Sequence, residues 1–134
     1  MKTIKCTYKS NAYEYTLTVI FTDDSVKYQQ KYFDKWEVIG EEVEECSGVC
    51  LRHPMSIEEY VIIYEYDSLT DSTLSHEIQH LSCFLLDDRN IGLKGEHQDY
   101  EPLCWVNGEL NEVIRKMIQD KKIPMVASKY TYGK

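Results

Sequence analysis

Thr70-Asp71-Ser72-Thr73-Leu74-Ser75-His76-Glu77-Ile78-Gln79-His80-Leu81 reads as the opening of one amphipathic helix, and the layout of the chain follows from it. Thr70, Asp71, Ser72 and Thr73 offer N-cap oxygens for the first backbone N–H groups, which have no partner inside the helix. Downstream, Asn90-Ile91-Gly92 supplies a stop, because asparagine and glycine tolerate the left-handed backbone that ends helices. The bracket predicts a helix of about 16–18 residues. Within it Leu74, Ile78, Leu81 and Leu85 recur at helical spacing as a core face. His76, His80 and Asp87 share a different stripe, with Cys83 near it.

That polar seam carries an H-E-x-x-H pattern. At i and i+4 the imidazoles of His76 and His80 project from one helical face, close enough to share a metal ion, and Glu77 beside them can take a proton from an attacking water. Catalytic zinc sites use three protein ligands and keep a fourth position open, so a further ligand must come from elsewhere in the chain. Glu101 is the leading candidate. Asp99-Tyr100-Glu101-Pro102 looks like a helix start, with proline tolerated in the first turn, and Leu103, Val106, Leu110, Val113 or Ile114, and Met117 continue the period. Gly92 and Gly95 give the intervening loop its turns. His97 and Asp99 compete with Glu101 for the ligand role, Cys83 can reach the same metal, and Glu109 is weaker. An oxyanion also needs a donor besides the metal, and His97 and Tyr100 are the nearest in sequence to Glu101.

The residues His76-Glu77-Ile78-Gln79-His80, Arg89-Asn90-Ile91-Gly92 and His97-Gln98-Asp99-Tyr100-Glu101-Pro102-Leu103-Cys104-Trp105-Val106-Asn107-Gly108 together resemble small phage-encoded zincin-like metallopeptidases. Those proteins pair H-E-x-x-H with a later acidic D-x-E stretch that opens a helix. More distantly, the chain is similar to the gluzincin arrangement, in which a glutamate on the following helix is the third zinc ligand. The resemblance covers roughly residues 60–118. It implies one zinc ion per chain held by His76, His80 and Glu101, with Glu77 as general base. Pro102 departs from the small residue that usually follows the glutamate.

The amino-terminal half reads as β structure. Tyr13, Tyr15, Leu17, Val19 and Phe21 alternate with Glu14, Thr16, Thr18 and Ile20, the period of a strand with one buried face. Ile4, Cys6 and Tyr8 suggest a partner strand across a turn at Ser10-Asn11. Val26-Lys27-Tyr28-Gln29-Gln30-Lys31-Tyr32-Phe33 predicts a further strand, and Val49 to Arg52 and Tyr60 to Tyr66 predict two more. The expected class is therefore α+β: a mainly antiparallel amino-terminal sheet, then the H-E-x-x-H helix and a second, carboxy-terminal helix. One domain over residues 1–134 is expected, with about 1–66 mainly β, about 70–122 helical and carrying the metal site, and 123–134 an irregular tail. Val49 to Arg52 or Tyr60 to Tyr66 is the candidate edge strand for holding an extended peptide by main-chain pairing.

Composition narrows the function classes. With 23 acidic and 15 basic side chains the net charge is −8, and no cluster of lysine and arginine suits a nucleic-acid backbone. The acidic run Glu41, Glu42, Glu44 and Glu45 is a solvated face or a field that attracts a basic peptide. Five cysteines, an odd number, form no obvious disulfide framework, which agrees with a reducing compartment. No apolar run is long enough for a membrane span and no leader pattern is read, so a cytoplasmic protein is expected, in the host cytoplasm if phage-encoded. The expected function is a zinc-dependent peptidase acting on a peptide or protein substrate. The competing readings are a non-catalytic zincin-fold binding or inhibitory protein with a structural metal, and a metal-free accessory protein.

Overall fold

A computed structural model describes residues 2–91 and 100–127 of the chain. Tyr15, Leu17, Val19 and Phe21 alternate along the strand Tyr15–Thr22 (β2), each at most 2% exposed. β2 pairs antiparallel with Thr3–Ser10 (β1), from Thr3 opposite Thr22 to Ser10 opposite Tyr15. On its other side β2 pairs in parallel with Glu59–Glu65 (β4), which in turn pairs antiparallel with Gly48–Arg52 (β3). The order β1-β2-β4-β3 gives a mixed sheet of four strands with β1 and β3 at its edges. Between the two expected edge candidates the structure decides for Val49 to Arg52; Tyr60 to Tyr66 runs through the centre.

The expected strand over Val26 to Phe33 is a helix instead, Ser25–Lys35 (α1). Asp24 caps it, its carboxylate accepting from the Lys27 N–H at 3.2 Å. Ser25, Gln29, Tyr32 and Trp36 point inward at spacings of four, three and four residues. Two of those four are polar, which hides the helical period from a reading of apolar residues. Gln29 is satisfied in place, donating to Ser25 Oγ at 3.0 Å and to the Glu44 carbonyl at 2.8 Å.

α1 is also the connection that lets β2 and β4 run parallel, since parallel neighbours need a crossover. It covers the second face of the sheet, where Ile20, Leu51, Val61 and Ile63 meet Tyr32 and Trp36. The opposite face meets the helices Asp71–Asp88 (α2) and Glu101–Asp120 (α3), with Leu74, Ile78, Leu81 and Leu85 of α2 and Val106, Leu110 and Ile114 of α3 in one core. The centre of the sheet is thus buried on both faces, which is why Ile20, expected to face water, is 1% exposed, while Lys5, Thr7 and Lys9 of β1 stay exposed.

α2 is 18 residues long, opens with Thr70 Oγ1 accepting from the Thr73 N–H at 3.1 Å, and ends before Asn90 at φ 58°. Its bounds match the sequence bracket. α3 opens at Glu101 with Pro102 in the first turn, also as expected. The two helices run antiparallel, with Arg115 paired to Asp71 at 2.8 Å and Asn107 donating to Gln79 at 3.0 Å. Beyond α3, residues 123–127 form neither helix nor strand, as expected of the tail. Ile123 is nevertheless buried, and the Val126 N–H donates to the Leu69 carbonyl at 2.7 Å. No helix among the described residues is long and apolar enough to cross a membrane.

Candidate metal centre

The core face of α2 leaves His76 and His80 on its outer side, both exposed, while Glu77 is rotated towards the sheet and only 5% exposed. The two Nε2 atoms lie 3.1 Å apart. Two nitrogens bound at zinc distances of about 2.0–2.1 Å with tetrahedral angles sit about 3.3 Å apart, so the pair needs little movement to share such an ion. His76, Glu77 and His80 are the cluster that can hold a metal among the described residues, with their ligand atoms all within 4.8 Å of one another. Imidazole nitrogens beside a carboxylate suit zinc chemically.

β3 forms the wall next to Glu77. A Cβ at Gly48 would come within 2.9 Å of Thr73 Cγ2, 3.0 Å of Glu77 Cγ and 3.2 Å of Tyr64 Cδ1, so the strand approaches α2 as closely as a residue without a side chain allows. The Cys50 backbone makes a hydrogen bond to the Glu77 carboxylate. Burial holds the proton affinity of Glu77 above the usual carboxylate range, opposed by the charges of His76 and His80 and by that hydrogen bond. The same carboxylate and, more strongly, burial push the Cys46 and Cys50 thiols up, Cys50 well up. Both therefore stay protonated thiols and make poor metal ligands as they stand. At the far end of β3, Arg52 donates to Asp87 at 2.7 Å and also to Asp88, which accepts from the Tyr60 hydroxyl as well. This clamp fixes the strand against the last turn of α2.

Of the residues singled out from the sequence, the structure brings together His76, Glu77 and His80. Glu101 is the first residue of α3, outside that cluster. The α2–α3 register moves eight residues back along α3 for eight forward along α2, from Arg115–Asp71 to Asn107–Gln79. Extended by six more, it sets Glu101 level with Leu85, five residues beyond His80. At 1.5 Å per residue that is about 7.5 Å along the helix axis. Tyr100, half exposed, immediately precedes α3. His97 and Asp99, with Gly92 and Gly95, lie outside the described residues. Cys83 accepts from Gln79 Nε2 at 3.6 Å, and Glu109 accepts from the Tyr8 hydroxyl on the far side of α3.

Two features of the site escaped the sequence reading. Phe84 stacks on His80, ring centroids 6.1 Å apart and planes 24° apart, and so steadies the exposed imidazole. Its only sequence signal is the i, i+4 spacing from His80. Gly48 is the other, and nothing local marks it, because the contact it permits is with a helix 25 or more residues further on. Searches against protein-family models, curated proteins and solved structures found no match to this chain.

Proposed function

We propose that the chain is a zinc-dependent peptidase in which His76 and His80 are metal ligands and Glu77 is the general base. The observation that carries this reading is the 3.1 Å separation of the two Nε2 atoms beside a carboxylate buried under an edge strand. Zinc, if held by His76 and His80, would supply a Lewis acid to polarise a scissile carbonyl and acidify an attacking water. Glu77 would take the proton of that water and pass it to the leaving amine. Its raised proton affinity suits both halves of the task, since a base that binds its proton too weakly cannot collect it. Glu101 remains our choice for the third ligand, and His97 and Tyr100 our choices for the oxyanion donor. Free thiols at all five cysteines agree with a reducing, cytoplasmic setting.

The test is Glu77→Gln assayed beside the native chain on a mixed peptide library read by mass spectrometry. The variant is expected to keep its zinc and to lose turnover by about 100-fold or more. A variant as active as the native chain would sink the mechanism.

A further inference from the structure

The support behind His80 does not end at Phe84. Phe84 follows His80 by four residues on α2, so the two rings share a helical face, and Phe84 is half-buried against the core while the imidazole it stacks on is exposed. The Arg52 guanidinium lies over the same phenyl ring, its Cζ 5.1 Å from the centroid, within the reach of a cation–π contact. Two carboxylates hold that guanidinium in turn: Nη2 donates to Asp87 at 2.7 Å and Nε to Asp88 at 2.9 Å. The Asp88 side chain is 10% exposed and also accepts from the hydroxyl of Tyr60, a buried residue of the central strand β4. Each contact fixes the next, so an exposed histidine is tied through Phe84, Arg52 and Asp88 to the middle of the sheet. His76 meets His80 in turn edge to face, with ring centroids 4.7 Å apart.

We propose that Phe84 and Arg52 are positioning residues for the metal centre: the clamp at the end of β3 holds the Phe84 ring, and that ring holds the His80 imidazole at its 3.1 Å approach to His76. Zinc affinity then depends on residues that are not ligands. A surface side chain that turns freely loses that freedom on binding a metal, and the loss weakens the complex, whereas a side chain already held in place loses less. The His80–Phe84 pair has the geometry for this, since its centroid separation of 6.1 Å and interplanar angle of 24° fall in the offset-stacked range. An imidazole that shares a metal's charge is also drawn more strongly to a ring face, so the stack favours the filled site. The proposal rests on the peptidase reading for what the metal does, but the placement of His80 can be read without metal.

The experiment compares the full-length native chain with Phe84→Leu, Phe84→Tyr and Arg52→Lys in two readouts. In metal-free protein, the ring protons of His80, assigned through His80→Gln, are followed by NMR; a ring-current shift is expected in the native chain and in Phe84→Tyr and is expected to vanish in Phe84→Leu. Zinc affinity is then measured by competition with a chromogenic chelator. Phe84→Leu is expected to bind about tenfold more weakly, and Phe84→Tyr to return to within about twofold of the native chain. Arg52→Lys, which keeps the charge and loses the planar fork, is expected to bind about threefold more weakly. Ile114→Val, which weakens the same core from α3, is expected to lower the thermal midpoint and leave zinc affinity unchanged. An unshifted His80 signal in the native chain, or native zinc affinity in Phe84→Leu, would overturn the proposal and leave the metal centre standing without it. A ring shift lost in Phe84→Leu in a chain that takes up no zinc would support the placement of His80 and sink the peptidase reading.

Discussion

Burial raises the proton affinity of Glu77 while the His76 and His80 charges and the Cys50 backbone lower it, and the balance falls on the raised side. Because the folded value lies above the unfolded one, near 4.5, the fold prefers the protonated carboxyl. The stabilisation this supplies is present below pH 4.5 and is lost as pH rises through the folded value, so at pH 7 the ionised side chain costs stability. Glu77→Gln, neutral at every pH, is therefore expected to be more stable than the metal-stripped native chain at pH 7. The two should converge at pH 4. Urea unfolding in chelator at both values measures this, and a variant less stable than the native chain at pH 7 would show that Glu77 serves the fold more than the chemistry.

At the scale of elements, α2 and its fit against β3 decide whether the site forms. Gly48→Val puts a branched side chain where Thr73, Glu77 and Tyr64 already stand within 3.2 Å of a bare Cβ. It is expected to cost about 1–3 kcal/mol by overpacking and to push β3 away from Glu77, lowering turnover more than zinc content. Unfolding midpoint, zinc content and peptide cleavage measured together separate those effects. α1 gives a smaller case: Asp24→Ala removes the acceptor for the Lys27 N–H and is expected to cost about 1 kcal/mol. α1 is also the element that could not be read in advance. Tyr28, Gln30 and Tyr32 allow a strand period, and the helical period is carried by Ser25 and Gln29, whose burial depends on the Glu44 carbonyl in a later loop. α2, by contrast, declares itself through Thr70, through four leucines and isoleucines on one face, and through Asn90, all signals within its own span. The histidine cluster was legible for the same reason. Neither the approach of Gly48 nor the parallel pairing of β2 with β4 is encoded within a single element.

Over the whole molecule, one sheet separates two cores, and the site sits where the edge of that sheet meets α2. Leu81, fully buried beneath the histidine face, belongs to the core that joins β2, β4, α2 and α3. Leu81→Ala is expected to cost about 2–5 kcal/mol, seen as a fall in the thermal midpoint without a change in secondary structure at low temperature. The net charge of −8 is not spread evenly, since Glu37, Glu41, Glu42 and Glu44 gather along one groove beside β3. The fold thus gives the candidate centre a buried carboxylate, two exposed imidazoles and an edge strand in one place. Whether those imidazoles hold a metal is measured directly by zinc per chain, determined by elemental analysis after purification without added metal, on the native chain and on His80→Ala. About one zinc per native chain and near none in a folded His80→Ala is the predicted result. A native chain that takes up no zinc even after incubation with excess metal would contradict the account.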